Sequence, residues 1–119
     1  MTRRASESIV KLATEQLANF GNHSMMVAHR EADGQAELHE TQADVFVVCS
    51  GEATLVVGGS MVDGRTTAPN EVRGPSINGG EKRKLGGGDM VHIPPRVPHQ
   101  LLVESGKQFT YAVVKIDAR

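Results

Sequence analysis

His99 stands next to last in the most informative stretch of this 119-residue chain, Gly88 to Gln100, which reads Gly-Asp-Met-Val-His-Ile-Pro-Pro-Arg-Val-Pro-His-Gln. A short β-type run ends at Pro94 and Pro95, turns, and delivers His99 at the head of the apolar run Leu101, Leu102 and Val103. Proline restricts φ and removes a backbone donor, so Pro94, Pro95 and Pro98 make a stiff corner. A histidine on a stiff corner between strands is well placed to hold a metal or a substrate. Other chemistry is thinly represented. Cys49 is the lone cysteine, which excludes an internal disulfide, and its apolar surroundings point to a buried, inert thiol. The glycine groups Gly79-Gly80 and Gly86-Gly87-Gly88 match neither GxGxxG nor a P-loop and open no helix, so they read as turns rather than phosphate cradles.

The elements that must position these residues are short. Positions 5–20 read as one amphipathic helix, with Ile9, Leu12, Ala13, Leu17 and Phe20 on one face and Gly21 where a C-terminal cap belongs. Everything beyond reads as β: 25–31, 36–41, 44–49, 52–57, 60–62, 90–93, 100–103 and 108–116 are short runs broken by glycine or polar residues. Gly58-Gly59 reads as a hairpin turn. Many short strands at this spacing suggest a sandwich or barrel. The expected organisation is an N-terminal helical segment over 1–21 and one β-barrel domain over 22–119. A long loop over about 61–87 would serve as a lid over a pocket or as an oligomer-contact arm.

Composition removes several classes of function. Lys and Arg total 13 against 14 Asp and Glu, so nothing advertises nucleic acid or an acidic membrane surface. Phe20, Phe46, Phe109 and Tyr111 are the only Phe and Tyr, and there is no Trp, which weighs against base stacking and sugar platforms. No run approaches the ~20 apolar residues that span a bilayer. Arg3 and Arg4 are not followed by the hydrophobic region of a secretory signal. The expected location is cytoplasmic, or periplasmic or secreted if the N-terminus was trimmed.

Two segments together resemble the cupin superfamily. Glu37-Leu-His39-Glu-Thr-Gln-Ala-Asp44-Val-Phe-Val-Val-Cys-Ser-Gly51 is similar to the first cupin motif, in which two histidines and an acidic residue precede a strand ending in glycine. Gly88 to His99 is similar to the second, where a Gly-Asp strand leads through a proline corner to one histidine. The resemblance spans roughly 28–116. It implies an all-β, cupin-type double-stranded β-helix, a jelly-roll-like antiparallel barrel that is often dimeric and whose motifs line one end. The first motif departs from the usual His-x-His. Counting back from Asp44 puts His39 at the second histidine position and Glu37 at the first; aligning His39 with the first position leaves Thr41 at the second. The first register is preferred, because glutamate can bind a metal in place of histidine and threonine is a poor ligand.

The resemblance then implies one divalent transition metal (Fe, Mn, Ni, Co or Zn) held by His39, Asp44, His99 and Glu37. Two histidines with one carboxylate suit Fe(II), and mixed N/O ligation also accepts the others. The alternative is a metal-free pocket in which Glu37, Glu40 and Asp44 are solvated strand-end charges and His39 and His99 neutral lining residues. Thr41, Phe46, Val48, Gln100 and Tyr111 are the expected pocket residues, and Glu40, His92 and Tyr111 the candidates for a general base. His92 adjoins Ile93, so alternation turns it away from the interior if Ile93 points in; His23 and His29 read as surface or packing residues. Tyr111 and Lys115 share a strand face. Both faces of 44–49 are apolar, which calls for cover on each side by the N-terminal helix or a second subunit, hence a homodimer. The expected function is a metal-dependent dioxygenase, isomerase or lyase acting on a small polar organic molecule. The rival is a non-catalytic cupin that binds or senses a small ligand.

Overall fold

Strand β4 (Gln42–Gly51) shows how the sequence builds this fold. Successive side chains alternate faces, so Asp44, Phe46 and Val48 point inward and are buried while Val47 and Cys49 face outward and are exposed. The computed structural model describes residues 12–118. Around β4 lie β1 (Leu12–Asn19), β2 (His23–Arg30), β11 (Met90–Ile93) and β13 (Phe109–Asp117), forming a five-stranded sheet in the order β1-β2-β13-β4-β11. A second, six-stranded sheet runs β10-β5-β12-β3-β8-β7. It is built from β3 (Ala36–His39), β5 (Ala53–Val57), β7 (Arg65–Ala68), β8 (Glu71–Gly74), β10 (Glu81–Leu85) and β12 (His99–Leu102). A small two-stranded sheet pairs β6 (Ser60–Val62) with β9 (Ser76–Asn78). Every pairing is antiparallel.

The two inner faces share one core. Ala28, Phe46, Val48, Ile93, Phe109, Tyr111 and Val113 from the first sheet meet Ala53, Leu55, Leu85 and Leu101 from the second. Burial of each large side chain contributes roughly 1.5–3 kcal/mol. Gly51 ends β4 at φ 85°, where an added Cβ would lie 1.9 Å from the Gln108 carbonyl oxygen. Only glycine fits that approach.

Three sequence expectations need correction. There is no helix among the described residues. Positions 5–11 of the expected helix lie outside them, and Leu12–Asn19 is an edge strand paired with β2 from Leu12↔Arg30 to Asn19↔Ser24, with an irregularity near Leu17. Gly21, read as a helix cap, makes a hairpin turn: its φ is 88°, and Phe20 N–H donates to the His23 carbonyl at 2.8 Å. The apolar residues at helical spacing are not buried together, since Leu12, Leu17 and Phe20 stay largely exposed. Backbone pairing to an open sheet edge outweighed that periodicity. The stretch 61–87 is not a loop either: it holds β7 to β10, whose mostly exposed, charged or polar residues mask their period. Cys49 is exposed on the outer face of β4. No helix among the described residues is long and apolar enough to cross a membrane.

Candidate metal centre

Register brings the chemistry-bearing side chains together at one end of the barrel. His99 opens β12 opposite Glu37 of β3. On the other edge of β3, His39 faces Glu71 and Glu37 faces Arg73 of β8. In the first sheet, Asp44 of β4 faces Lys115 of β13. The proline corner is tied down as its sequence implied: Arg96, at φ 66°, donates its N–H to the His39 carbonyl at 2.8 Å, and Gly58 N–H donates to the Pro98 carbonyl at 2.9 Å. The corner therefore fixes His99 relative to His39.

Both imidazoles are held by Nδ1 and turn Nε2 inward. His99 Nδ1 lies 3.1 Å from the Val97 carbonyl oxygen, and His39 Nδ1 is hydrogen-bonded to Glu71. His39 Nε2 is then 3.2 Å from Asp44 Oδ2 and 3.4 Å from Glu37 Oε1. His99 Nε2 is 3.5 Å from the same Asp44 oxygen. One donor atom each from Glu37, His39 and His99 lies within 4.8 Å of the others. Glu37 Oε2 faces Arg73 at 3.4 Å and Arg30 at 3.6 Å. His39 and His99 are each 4 % exposed and Asp44 1 %. A set of imidazole nitrogens and carboxylate oxygens, with ring orientation fixed from behind by a carboxylate and a carbonyl, fits a divalent transition metal.

The buried carboxylates and His39 shift one another's protonation. Burial disfavours charge on His39, but hydrogen bonds to the Asp44 and Glu37 carboxylates prevail and raise its pKa to about 9, against the opposing charge of Lys115. Burial would raise Glu37; the His39 hydrogen bond and the charges of Arg73 and His99 bring it down to about 2. Asp44 is also lowered, its burial overcome by His39 and the Lys115 ammonium. Burial holds His99 below its ordinary value, favouring the neutral imidazole, and pushes the Tyr111 hydroxyl up.

These groups line a cavity of about 280 Å³, whose apolar wall includes Met26, Phe46, Leu101 and Val113. Of the expected pocket residues, Phe46, Gln100 and Tyr111 line it. Gln100 is committed to the scaffold, donating to the Gly34 and Pro75 carbonyls at 2.9 and 3.2 Å. Tyr111 accepts a hydrogen bond from Arg30 Nε at 3.0 Å. Val48 is buried in the core instead, and Thr41 lies past the end of β3; neither lines the cavity. Glu40 and His92 are exposed and outside it, so they do not face the cluster as base candidates. Sequence reasoning missed Arg30, Glu71, Arg73, and the lining contributed by Leu12 and Thr14 of β1. The alternation Glu71-Val72-Arg73 was the available signal for two of them.

No family model matches the sequence, and no curated protein matches it. Solved structures do. KdgF from Halomonas sp. superposes with a TM-score of 0.67 at 15% identity, over 92% of this chain and 82% of that one. A cupin superfamily protein from Desulfitobacterium hafniense DCB-2 gives 0.65 at 11% identity, over 98% and 83%. The DMSP lyase DddQ from Ruegeria pomeroyi DSS-3 gives 0.64 at 18% identity, over 96% of this chain and 51% of that one. The chain has the cupin fold, an all-β double-stranded β-helix, as the two motifs implied.

Proposed function

We propose that this cupin binds one divalent transition metal through His39, His99, Glu37 and Asp44 and is an enzyme acting on a small polar organic molecule. The observation that carries the reading is the shared orientation of the two buried imidazoles, each held at Nδ1 and each presenting Nε2 to Asp44 Oδ2. A metal bound there would polarise a substrate oxygen as a Lewis acid. The chain's own residues supply the rest. Met26, Phe46, Leu101 and Val113 give the cavity an apolar wall. Tyr111, kept protonated by burial and oriented by Arg30, offers its hydroxyl proton to a bound oxygen rather than acting as a base. Isomerase, lyase and dioxygenase chemistry all fit this arrangement.

Elemental analysis of protein purified without chelators or a metal-affinity step tests this directly. About one equivalent of Fe, Mn, Ni, Co or Zn, lost in His99→Ala, is the expected result. No metal in the wild type after reconstitution would replace the enzyme reading with that of a ligand-binding or sensing cupin.

The protein is proposed to work as a homodimer. Met25, Val27, Val45, Val47, Ala112 and Val114 share the outer face of the first sheet through cross-strand pairing, and a second copy would cover that face. Light scattering on the wild type and Val47→Lys checks it: a dimer that the charge converts to monomer is expected.

A further inference from the structure

The two oxygens of Asp44 face different partners. Oδ2 points to His39 Nε2 and His99 Nε2, while Oδ1 lies 3.1 Å from Lys115 Nζ. The same ammonium is 3.3 Å from His39 Nε2. A lysine therefore shares two of the proposed ligand residues, delivered there by the Lys115↔Asp44 register of β13 on β4. We propose that Lys115 is a built-in competitor for the metal, so that a divalent cation takes the site only by displacing the ammonium from His39 and Asp44. This inference rests on the metal reading above.

The geometry carries it in three steps. Two cations cannot occupy the same few ångströms beside one buried carboxylate without strong repulsion, because the low local dielectric leaves them poorly screened. The Lys115 side chain is 24% exposed against 1% for Asp44, so the lysine can withdraw toward water along its flexible stem while the aspartate stays. With His39 protonated at neutral pH, the cavity's carboxylates Glu37, Asp44 and Glu71 already face four cationic groups, His39, Arg30, Arg73 and Lys115. A divalent metal that displaces the His39 proton still adds one net positive charge, and the nearest side-chain cation able to withdraw is Lys115. The lysine thus makes the site selective for metals that bind strongly enough to pay for its displacement.

The test is calorimetric titration of Mn²⁺ into chelator-treated wild type, Lys115→Gln, Lys115→Arg and His99→Ala. Glutamine removes the charge while leaving an amide donor for Asp44, which limits damage to the fold; thermal unfolding verifies this. Lys115→Gln should bind about tenfold tighter than wild type or better, Lys115→Arg no tighter than wild type, and His99→Ala weakest. Equal or weaker binding by a folded Lys115→Gln overturns the proposal and leaves the metal reading intact. No binding by any variant overturns both. A second readout needs no variant: in wild-type protein, Zn²⁺ should move the Lys115 ammonium NMR resonance to that of a solvated lysine. An ammonium resonance unchanged at Zn²⁺ saturation also overturns it.

Discussion

Glu71 lies outside both motifs, yet its replacement should weaken metal binding as much as loss of an ordinary supporting partner does. Its carboxylate holds His39 Nδ1, and its other oxygen is anchored by Arg73 at 3.3 Å. His39 is 4% exposed, so without Glu71 no water shell readily takes over the orienting role. Loss of a group that orients a ligand histidine typically costs 10–100-fold in metal affinity, or about 1.4–2.7 kcal/mol. The assay is Zn²⁺ competition against a chromophoric chelator at fixed pH, comparing wild type, Glu71→Gln and Glu71→Ala. Glu81→Gln serves as control, because Glu81 is exposed and its carboxylate pairs with Arg83 on the same strand. A role confined to stability would lower the unfolding temperature and leave affinity unchanged. If both Glu71 variants stay within about twofold of wild type in affinity, His39 is not oriented through its Nδ1 and the account of the site fails at that residue.

The remaining predictions concern pH, backbone and core. His39 is raised from 6.5 to about 9, so its contribution to stability is complete below pH 6.5 and is lost as pH rises through about 9. Glu37 is lowered from 4.5 to about 2, so its contribution is present above pH 4.5 and is lost as pH falls toward 2. Urea midpoints of the metal-free protein should therefore fall on both sides of a window at about pH 4.5–6.5; His39→Gln should flatten the alkaline limb, and an unchanged limb would place its origin elsewhere. Metal affinity should rise with pH up to about 9, near tenfold per unit, because the metal must displace the His39 proton. Gly51→Ala should cost about 1–3 kcal/mol from the left-handed φ alone, with more from the Gln108 carbonyl, measured by urea unfolding. Phe109→Ala, emptying a position that is 0% exposed, should cost about 3–5 kcal/mol in the same assay.

The parts of this protein that were legible in its sequence are those fixed by neighbours along the chain. Proline chemistry announces the corner before His99, and alternation along β4 sets Asp44, Phe46 and Val48 on one face. Pairing distant segments obeys no such local rule. Arg30, Glu71 and Lys115 reach the site through the registers of β2, β8 and β13, and each belongs to a stretch whose own pattern says nothing about a metal. The segment 12–19 makes the same point from the other side. Its apolar spacing satisfies a helix, yet β2 offers an open edge whose backbone groups must be paired or wetted, and the strand that results places Leu12 and Thr14 at the cavity wall. The ligands of such a site can thus be nominated from two short motifs. On the proposed reading, metal affinity would be set by the strands that lie beside them: Glu71 behind His39, the two arginines behind Glu37, and a lysine beside Asp44 that a metal would have to move.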